Sequence, residues 1–351
     1  MADLIPILNQ TAEEAFYSFR FKIIDQIYLY GVSSVSLVGF IFSLFCVWII
    51  FAKKDFDRQP IFLFYKILSL NSFLQNFFGI WYSLCYPNWF LSFRLQSVCV
   101  NYVILFIPFH ILFHNYAILI EVGLLWELMK LFSQTVKKYY KLEPKNVVII
   151  LLVLSIFIGA MGSFLNDSNE FVWLNYERTE NSSVISKQTF LFFGPSKFAM
   201  TKIGSIYFIA YSLIVHVPLI SLQLISNIVV ILSMRKHYHN LNLQLQQDSI
   251  HNKRKERVNK RTSLMAFILC SFSLISRTVL VTGIVSVNIN ANFFASFTLS
   301  LSDIIVFFNS GCLFFVFFSF NKIFRNHVLK QFGFKTSNTD NPINNLQSQN
   351  M

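Results

Sequence analysis

Seven long apolar stretches alternate with polar segments along the chain, at residues 27–52, 61–84, 98–125, 147–166, 204–234, 262–285 and 293–319. A helix of about 20 residues, rising about 1.5 Å per residue, crosses the roughly 30 Å of hydrocarbon in a bilayer. Backbone polar groups inside lipid must be paired within helices or closed barrels, and these stretches lack the alternation of barrel strands. The pattern therefore predicts an all-α integral membrane protein, a bundle of seven transmembrane helices, which we call spans 1 to 7.

The composition fits a membrane protein and argues against a soluble enzyme. Hydrophobic residues make up 54% of the 351 residues and charged residues only 13%, whereas soluble proteins carry about a quarter charged residues. The five Cys residues show no CxxC spacing, so neither a zinc module nor a disulfide scaffold is indicated. The chain contains no HExxH, GxSxG or GxxxxGK[ST] motif. We expect no catalysis, no cofactor and no metal site.

The basic residues predict the orientation in the membrane. Of the 29 Lys and Arg residues, 20 fall between spans 1 and 2, 3 and 4, or 5 and 6, or after span 7, and 7 fall on the other side. Because cytoplasmic loops carry the excess of Lys and Arg, the N-terminus is predicted to lie outside. The net charge of +12 then follows from topology, and no nucleic-acid partner is expected. The glycosylation pattern N-x-[ST] at Asn9, Asn166 and Asn181 falls on the predicted outer side, as in a multi-pass plasma-membrane glycoprotein.

Four segments follow from this layout. We expect an extracellular N-terminal segment at 1–26, the bundle at 27–319, an amphipathic membrane-surface helix at 320–335 and a disordered cytoplasmic tail at 336–351. The outer loop at 167–203 is polar and lacks Cys.

The inner loop at 235–261 is strongly basic and is expected to extend spans 5 and 6 as helices. Two interpretations remain open for its charge. It suits contact with anionic membrane lipid, and it equally suits a docking surface for an intracellular transducer.

Short motifs resemble those of one receptor family. They read FYKIL at 64–68, ELMKLF at 127–132, SDII at 302–305, NSGCL at 309–313 and FNKIFR at 320–325. In this order they resemble the nematode serpentine chemoreceptors of the G-protein-coupled receptor superfamily, most closely the gamma class and its relatives. The chain departs from the common pattern of that superfamily, since no Arg follows Glu127 and Ser310 stands where Pro is usual.

The resemblance implies a chemosensory receptor that binds a small molecule in the outer half of the bundle and signals through a heterotrimeric G protein. Many aromatic side chains and few polar groups there suit a small, largely apolar ligand. The ligand-binding candidates are Tyr102, Phe109, His110, His114, Tyr207, Tyr211, Arg277, Ser296, Ser300 and Asp303. The transducer-facing candidates are Glu127, Lys130, Arg235, Lys236, Arg257, Lys260, Arg261 and Arg325.

Four charged residues lie inside the spans, where an isolated charge costs about 2.5–3.5 kcal/mol on insertion scales. Their depths suggest two pairs: Arg277 with Asp303 in the outer half, and Lys66 with Glu121 nearer the inner side. Arg277 and Asp303 suit either a structural contact or a ligand contact, and Lys66 alternatively extends to the headgroups.

Two further side-chain pairs leave alternatives open. His110 and His114, four residues apart, fit helix packing or a shared metal, with no third ligand in sight. Cys85 and Cys99 are either bridged or two separate buried thiols.

Other functional classes with seven spans make different predictions. A ligand-gated channel of the insect odorant receptor kind has the opposite orientation, which the Lys and Arg distribution opposes. A small-molecule transporter would show internal repeats and paired broken spans, and neither is visible. Span 7 contains no Lys for a retinal Schiff base.

Overall fold

Seven long helices form a bundle, as the hydropathy pattern predicts. The computed structural model describes residues 26–53, 56, 60–85, 93–139, 141–163, 166–179, 182–195, 201–244, 250–289 and 293–334. Span 1 consists of a π-helical turn, Ile27–Val32, and Ser33–Ala52, and the next three spans are Ile61–Cys85, Phe93–Phe132 and Pro144–Ser163. Span 5 consists of Lys202–Tyr211, a π-helical turn at Ser212–His216, and Val217–Gln244, and spans 6 and 7 are Ile250–Ile289 and Phe293–Phe320. A short helix, Gln134–Tyr139, lies between spans 3 and 4.

Spans 3 and 6 are longer than a membrane requires. Each has 40 residues, or about 60 Å at 1.5 Å per residue, twice the hydrocarbon thickness. Span 5 runs to Gln244 and span 6 begins at Ile250, so both helices extend through most of the basic inner loop, as expected.

Span 2 belongs to the bundle although its hydropathy is lower than that of the other spans. In the described part of the chain, six helices are long and apolar enough to cross a membrane, and span 2 is not one of them. Its polar side chains Asn71, Gln75 and Asn76 lower its hydropathy, yet each is at most 3% exposed. Because they face neighbouring helices, they are not exposed to lipid, and span 2 belongs to the bundle.

The loop between spans 4 and 5 contains two strands where only a polar loop was expected. Asn166–Thr179 (β1) and Ser182–Pro195 (β2) pair antiparallel, with Asn166 opposite Pro195 and Thr179 opposite Ser182. Aromatic and β-branched residues are frequent in both strands and favour this conformation, although the loop as a whole is polar.

Span 3 lies at the centre of the bundle. It packs against spans 2, 4, 5 and 6, while span 7 packs against spans 1, 2 and 6 and closes the ring. Over Leu112–Lys130 most of span 3 is buried, whereas little of span 4 is, so span 4 lies at the periphery.

Small residues allow spans 1, 2 and 7 to approach closely. A Cβ atom added to Gly311 of span 7 would lie 3.0 Å from the Cα atom of Gly39 on span 1. Beside them, the Asn76 amide of span 2 donates to Ser310 Oγ at 2.9 Å and to Ser43 Oγ at 3.4 Å. One amide therefore joins all three spans.

The predicted helix after span 7 is present as Lys322–Gln331. The Asn321 side chain caps it by accepting a hydrogen bond from the Phe324 backbone N–H at 3.1 Å. Phe324 and Val328 are buried against the bundle, which fixes this helix against spans 1 and 7.

Candidate functional site

The centre of the bundle holds a cluster of charged and polar side chains that span 3 organises. His114, Asn115, Glu121 and Glu127 are spaced along span 3, and each is at most 8% exposed. Span 3 contacts four other spans, and two of these groups, His114 and Glu121, contact polar groups on other helices, whereas Glu127 pairs with Lys130 of span 3 itself.

Arg277 of span 6 is paired differently from the sequence prediction. It is 4% exposed, and its Nη1 atom donates a hydrogen bond to Nε2 of His114 on span 3. The predicted partner was Asp303 of span 7. The direction in which a side chain leaves its helix depends on packing, and this direction decides the partner.

His114 links span 3 to two other spans. Its second ring nitrogen, Nδ1, lies 3.3 Å from the amide nitrogen of Gln75 on span 2. A guanidinium group only donates hydrogen bonds, so Nε2 of His114 accepts from Arg277. Nδ1 of the neutral ring then carries the proton and faces the Gln75 side chain, so the imidazole of span 3 lies between spans 2 and 6 at one level.

Glu121 also has another partner than the one predicted. Its Oε2 atom accepts a hydrogen bond from Nε2 of Gln223 on span 5 at 2.7 Å. The predicted partner, Lys66, instead places its ammonium group 5.5 Å from the centre of the Phe51 ring on span 1. The same Gln223 amide donates to the Cys270 carbonyl at 3.3 Å, so Gln223 connects span 5 with spans 3 and 6.

A small cavity separates these groups from spans 2 and 7. It measures about 20 Å³ and brings the Glu121 carboxylate and the Arg277 guanidinium into the same space. Its other lining residues are Leu68, Ser72, Gln75, Ala117, Leu269, Ser276, Val306, Asn309, Ser310 and Leu313. This volume is far below the roughly 300–1,000 Å³ of drug-sized ligand sites.

The other ligand-binding candidates with described side chains make separate contacts. The hydroxyl groups of Tyr207 and Tyr211 donate to the carbonyl groups of Met161 and Ile158 on span 4, at 3.0 and 3.2 Å. Phe109 is 48% exposed, with its ring stacked near that of Phe78.

On span 7, Ser300 is buried and Asp303 half-buried. The side chains of Tyr102, His110, Ser296, Cys85 and Cys99 lie outside the described residues.

The transducer-facing candidates divide into residues held by hydrogen bonds and residues exposed on spans 5 and 6. Lys130 donates to Glu127 at 2.6 Å and to the Leu142 carbonyl of the loop before span 4 at 3.2 Å. Arg325 donates to the Ser319 carbonyl at 3.3 Å. Four basic side chains are exposed on spans 5 and 6, namely Arg235, Lys236, Lys260 and Arg261. The side chain of Arg257 lies outside the described residues.

The neutral amides that complete the cluster were not among the predicted site residues. Gln75 and Gln223 contact His114 and Glu121, and both are at most 3% exposed. A Gln inside an apolar span is itself a signal, because a buried amide must also be hydrogen-bonded. Counting only charged residues overlooked it.

Comparison with known proteins establishes the fold. The chain matches no protein-family model, and no curated protein matches its sequence. Among solved structures, it is similar to the crystal structure of squid rhodopsin, with a TM-score of 0.61 and 10% sequence identity over 88% of this chain and 86% of that chain. At this identity the likeness concerns the fold, which is a seven-helix membrane bundle arranged as in rhodopsin.

Proposed function

We propose that this protein is a chemosensory G-protein-coupled receptor that binds a small molecule in the outer half of its bundle. The rhodopsin-like arrangement of seven helices is the observation that carries this proposal. The motifs at 64–68, 127–132 and 302–325 support a place among the nematode serpentine chemoreceptors, close to the gamma class.

The ligand is proposed to enter above the polar cluster. His114 and Arg277 lie together on spans 3 and 6 and form its outer part, so a ligand lying between spans 3, 5, 6 and 7 meets them at its deep end. The contacts of Tyr207 and Tyr211 with span 4 support a role in positioning span 5 beside such a ligand.

The transducer is proposed to bind the basic end of the bundle. The exposed Arg235, Lys236, Lys260 and Arg261 lie on the extensions of spans 5 and 6. Lys130 holds the loop before span 4 against span 3 at the same end, so this surface is ordered and positively charged. A heterotrimeric G protein with an acidic contact surface fits it.

The orientation proposed is that of a plasma-membrane receptor with its N-terminus outside. The segments 1–26 and 336–351 are then the extracellular start and the cytoplasmic tail, and the helix after span 7 lies on the inner membrane surface. Asn166, at the start of β1, is proposed to carry a glycan. Asn9 and Asn181, which lie outside the described residues, are proposed glycosylation sites as well.

Epitope tags at both ends, probed with antibodies in intact and permeabilised cells, test this orientation. An accessible N-terminal tag and a hidden C-terminal tag are expected. The reverse pattern would contradict the receptor proposal and favour an inverted ligand-gated channel.

A ligand screen with a second-messenger readout then tests the function. Arg277→Met is expected to abolish the response to an active compound, whereas Arg261→Met, on the transducer side, is expected to leave the binding of that compound unchanged. A current that follows the compound without any G protein would indicate a channel, and uptake of the compound would indicate a transporter.

A further inference from the structure

Glu121 of span 3 and Arg277 of span 6 face the same small cavity without touching. Both side chains are 4% exposed and both line the cavity of about 20 Å³. The hydrogen bonds that the structure gives them run elsewhere, from Gln223 to Glu121 and from Arg277 to His114. In the described part of the chain, no direct ion pair joins the two charges.

The charges in the cavity wall cancel. Apart from the carboxylate and the guanidinium, the polar lining groups are neutral hydroxyls and amides, namely Ser72, Gln75, Ser276, Asn309 and Ser310. A cation would be repelled by Arg277 and an anion by Glu121. The lining therefore favours an uncharged occupant that both donates and accepts hydrogen bonds.

The size of the cavity fits a single water molecule. One water molecule needs about 10–15 Å³ of such a cavity and two to four polar partners. The Nε atom of Arg277 is buried and has no hydrogen-bond partner among the described residues. Buried donors of this kind are normally satisfied, often by an ordered water.

We propose that this cavity is a water-binding site and that the bound water joins Glu121 to Arg277 as a water-mediated ion pair between spans 3 and 6. The water accepts a hydrogen bond from the guanidinium and donates one to the carboxylate. The hydroxyl and amide groups of spans 2 and 7 supply its remaining partners, so one small site couples four helices. This inference is independent of what the bundle binds or signals to.

A double-mutant cycle on the purified full chain tests the coupling of the two charges. Glu121→Gln or Arg277→Met alone leaves one buried charge uncompensated and is expected to lower the apparent melting temperature by about 10 °C. The double variant is expected to regain at least half of that loss, since neither charge remains. Additive losses in the double variant would overturn the proposal.

A second pair of variants tests the water itself and needs no change of charge. Ser72→Val removes a lining hydroxyl and fills the cavity with methyl groups, and is expected to lower the melting temperature by about 5 °C. Its matched control is Ser69→Val on the same span, because the Ser69 hydroxyl donates to the Tyr65 carbonyl and does not line the cavity. The double-mutant cycle of Glu121→Gln and Arg277→Met is then repeated in each background. If water joins the two charges, the coupling energy is expected to be smaller in the Ser72→Val background and unchanged in the Ser69→Val background. An unchanged coupling in both backgrounds would overturn the water-mediated link.

Two further measurements distinguish water from an ion. A high-resolution crystallographic map is expected to show a density peak within hydrogen-bonding distance of both Glu121 and Arg277, whereas an empty cavity or direct contact of the two side chains contradicts the site. Replacing sodium chloride by choline chloride or sodium gluconate at equal ionic strength is expected to leave the melting temperature unchanged. A shift with one of these salts would show that an ion, not water, occupies the cavity.

Discussion

The hydroxyl group of Tyr65 on span 2 donates a hydrogen bond to the backbone carbonyl of Thr262 on span 6, over 3.2 Å. Tyr65 is fully buried, and its ring packs edge-on against Phe317 of span 7 with the ring centres 5.3 Å apart. A single side chain thus connects spans 2, 6 and 7 at the end of the bundle that carries the basic residues.

Replacing Tyr65 by Phe keeps the ring and removes the donor. We expect a loss of about 1 kcal/mol in the free energy of unfolding, because the hydrogen bond to Thr262 is lost while the packing against Phe317 remains. Thermal unfolding of the purified chain in detergent measures it. The matched control is Tyr30→Phe, since Tyr30 is 67% exposed and its substitution is expected to have no effect. Equal effects of the two substitutions would contradict the importance of this contact.

Gly79 on span 2 has no room for a side chain. A Cβ atom added there would lie 2.2 Å from the Phe307 ring of span 7. We expect Gly79→Ala to cost about 1–3 kcal/mol, because Phe307 is buried and cannot move away freely. The comparison is Gly159→Ala on span 4, where the nearest atom would lie 3.4 Å away, an ordinary contact. That substitution is expected to be neutral or stabilising, as Ala favours helices more than Gly does. Similar melting temperatures for both variants would disprove the close packing of spans 2 and 7.

Lys130 anchors the loop before span 4. We expect Lys130→Met to loosen that loop, because it removes the hydrogen bond to the Leu142 carbonyl and leaves the nearly buried Glu127 without its cation. Limited trypsin digestion, followed by mass spectrometry, should show faster cleavage after Lys141. In the control Lys137→Met, an exposed lysine is removed from the neighbouring short helix, and the cleavage rate after Lys141 should stay the same. No difference between the two variants would mean that the loop is held by other contacts.

Asn76 joins spans 1, 2 and 7 through its amide nitrogen, which also donates to the Ser72 carbonyl at 2.9 Å. Asn76→Leu has a similar volume but offers no hydrogen bond to Ser310 or Ser43. We expect it to lower the free energy of unfolding by about 1–3 kcal/mol, measured by thermal unfolding. Asn146→Leu, at an exposed position near the start of span 4, is the control and should change little. A stable Asn76→Leu variant would show that packing alone holds these three spans together.

Much of the architecture followed from local physical chemistry. The lengths of the apolar stretches predicted seven helices because each must pair its own backbone groups inside lipid. The short helix after span 7 was predicted from the mixture of apolar and basic residues around Phe324 and Val328, and both are buried where the helix meets the bundle. The strands β1 and β2 were missed because the outer loop was assessed by its overall polarity and not by its β-favouring segments.

The sequence by itself determined the number of helices and which charged residues lie on them, because each helix must pair its own backbone groups inside lipid. Only the tertiary structure decided which of them meet. Arg277 contacts His114 and not Asp303, and Glu121 contacts Gln223 and not Lys66. The direction in which a side chain leaves its helix decides its partner only once the neighbouring helices have packed. Close approaches, such as that of Gly39 to Gly311, set the rotation of each helix about its axis.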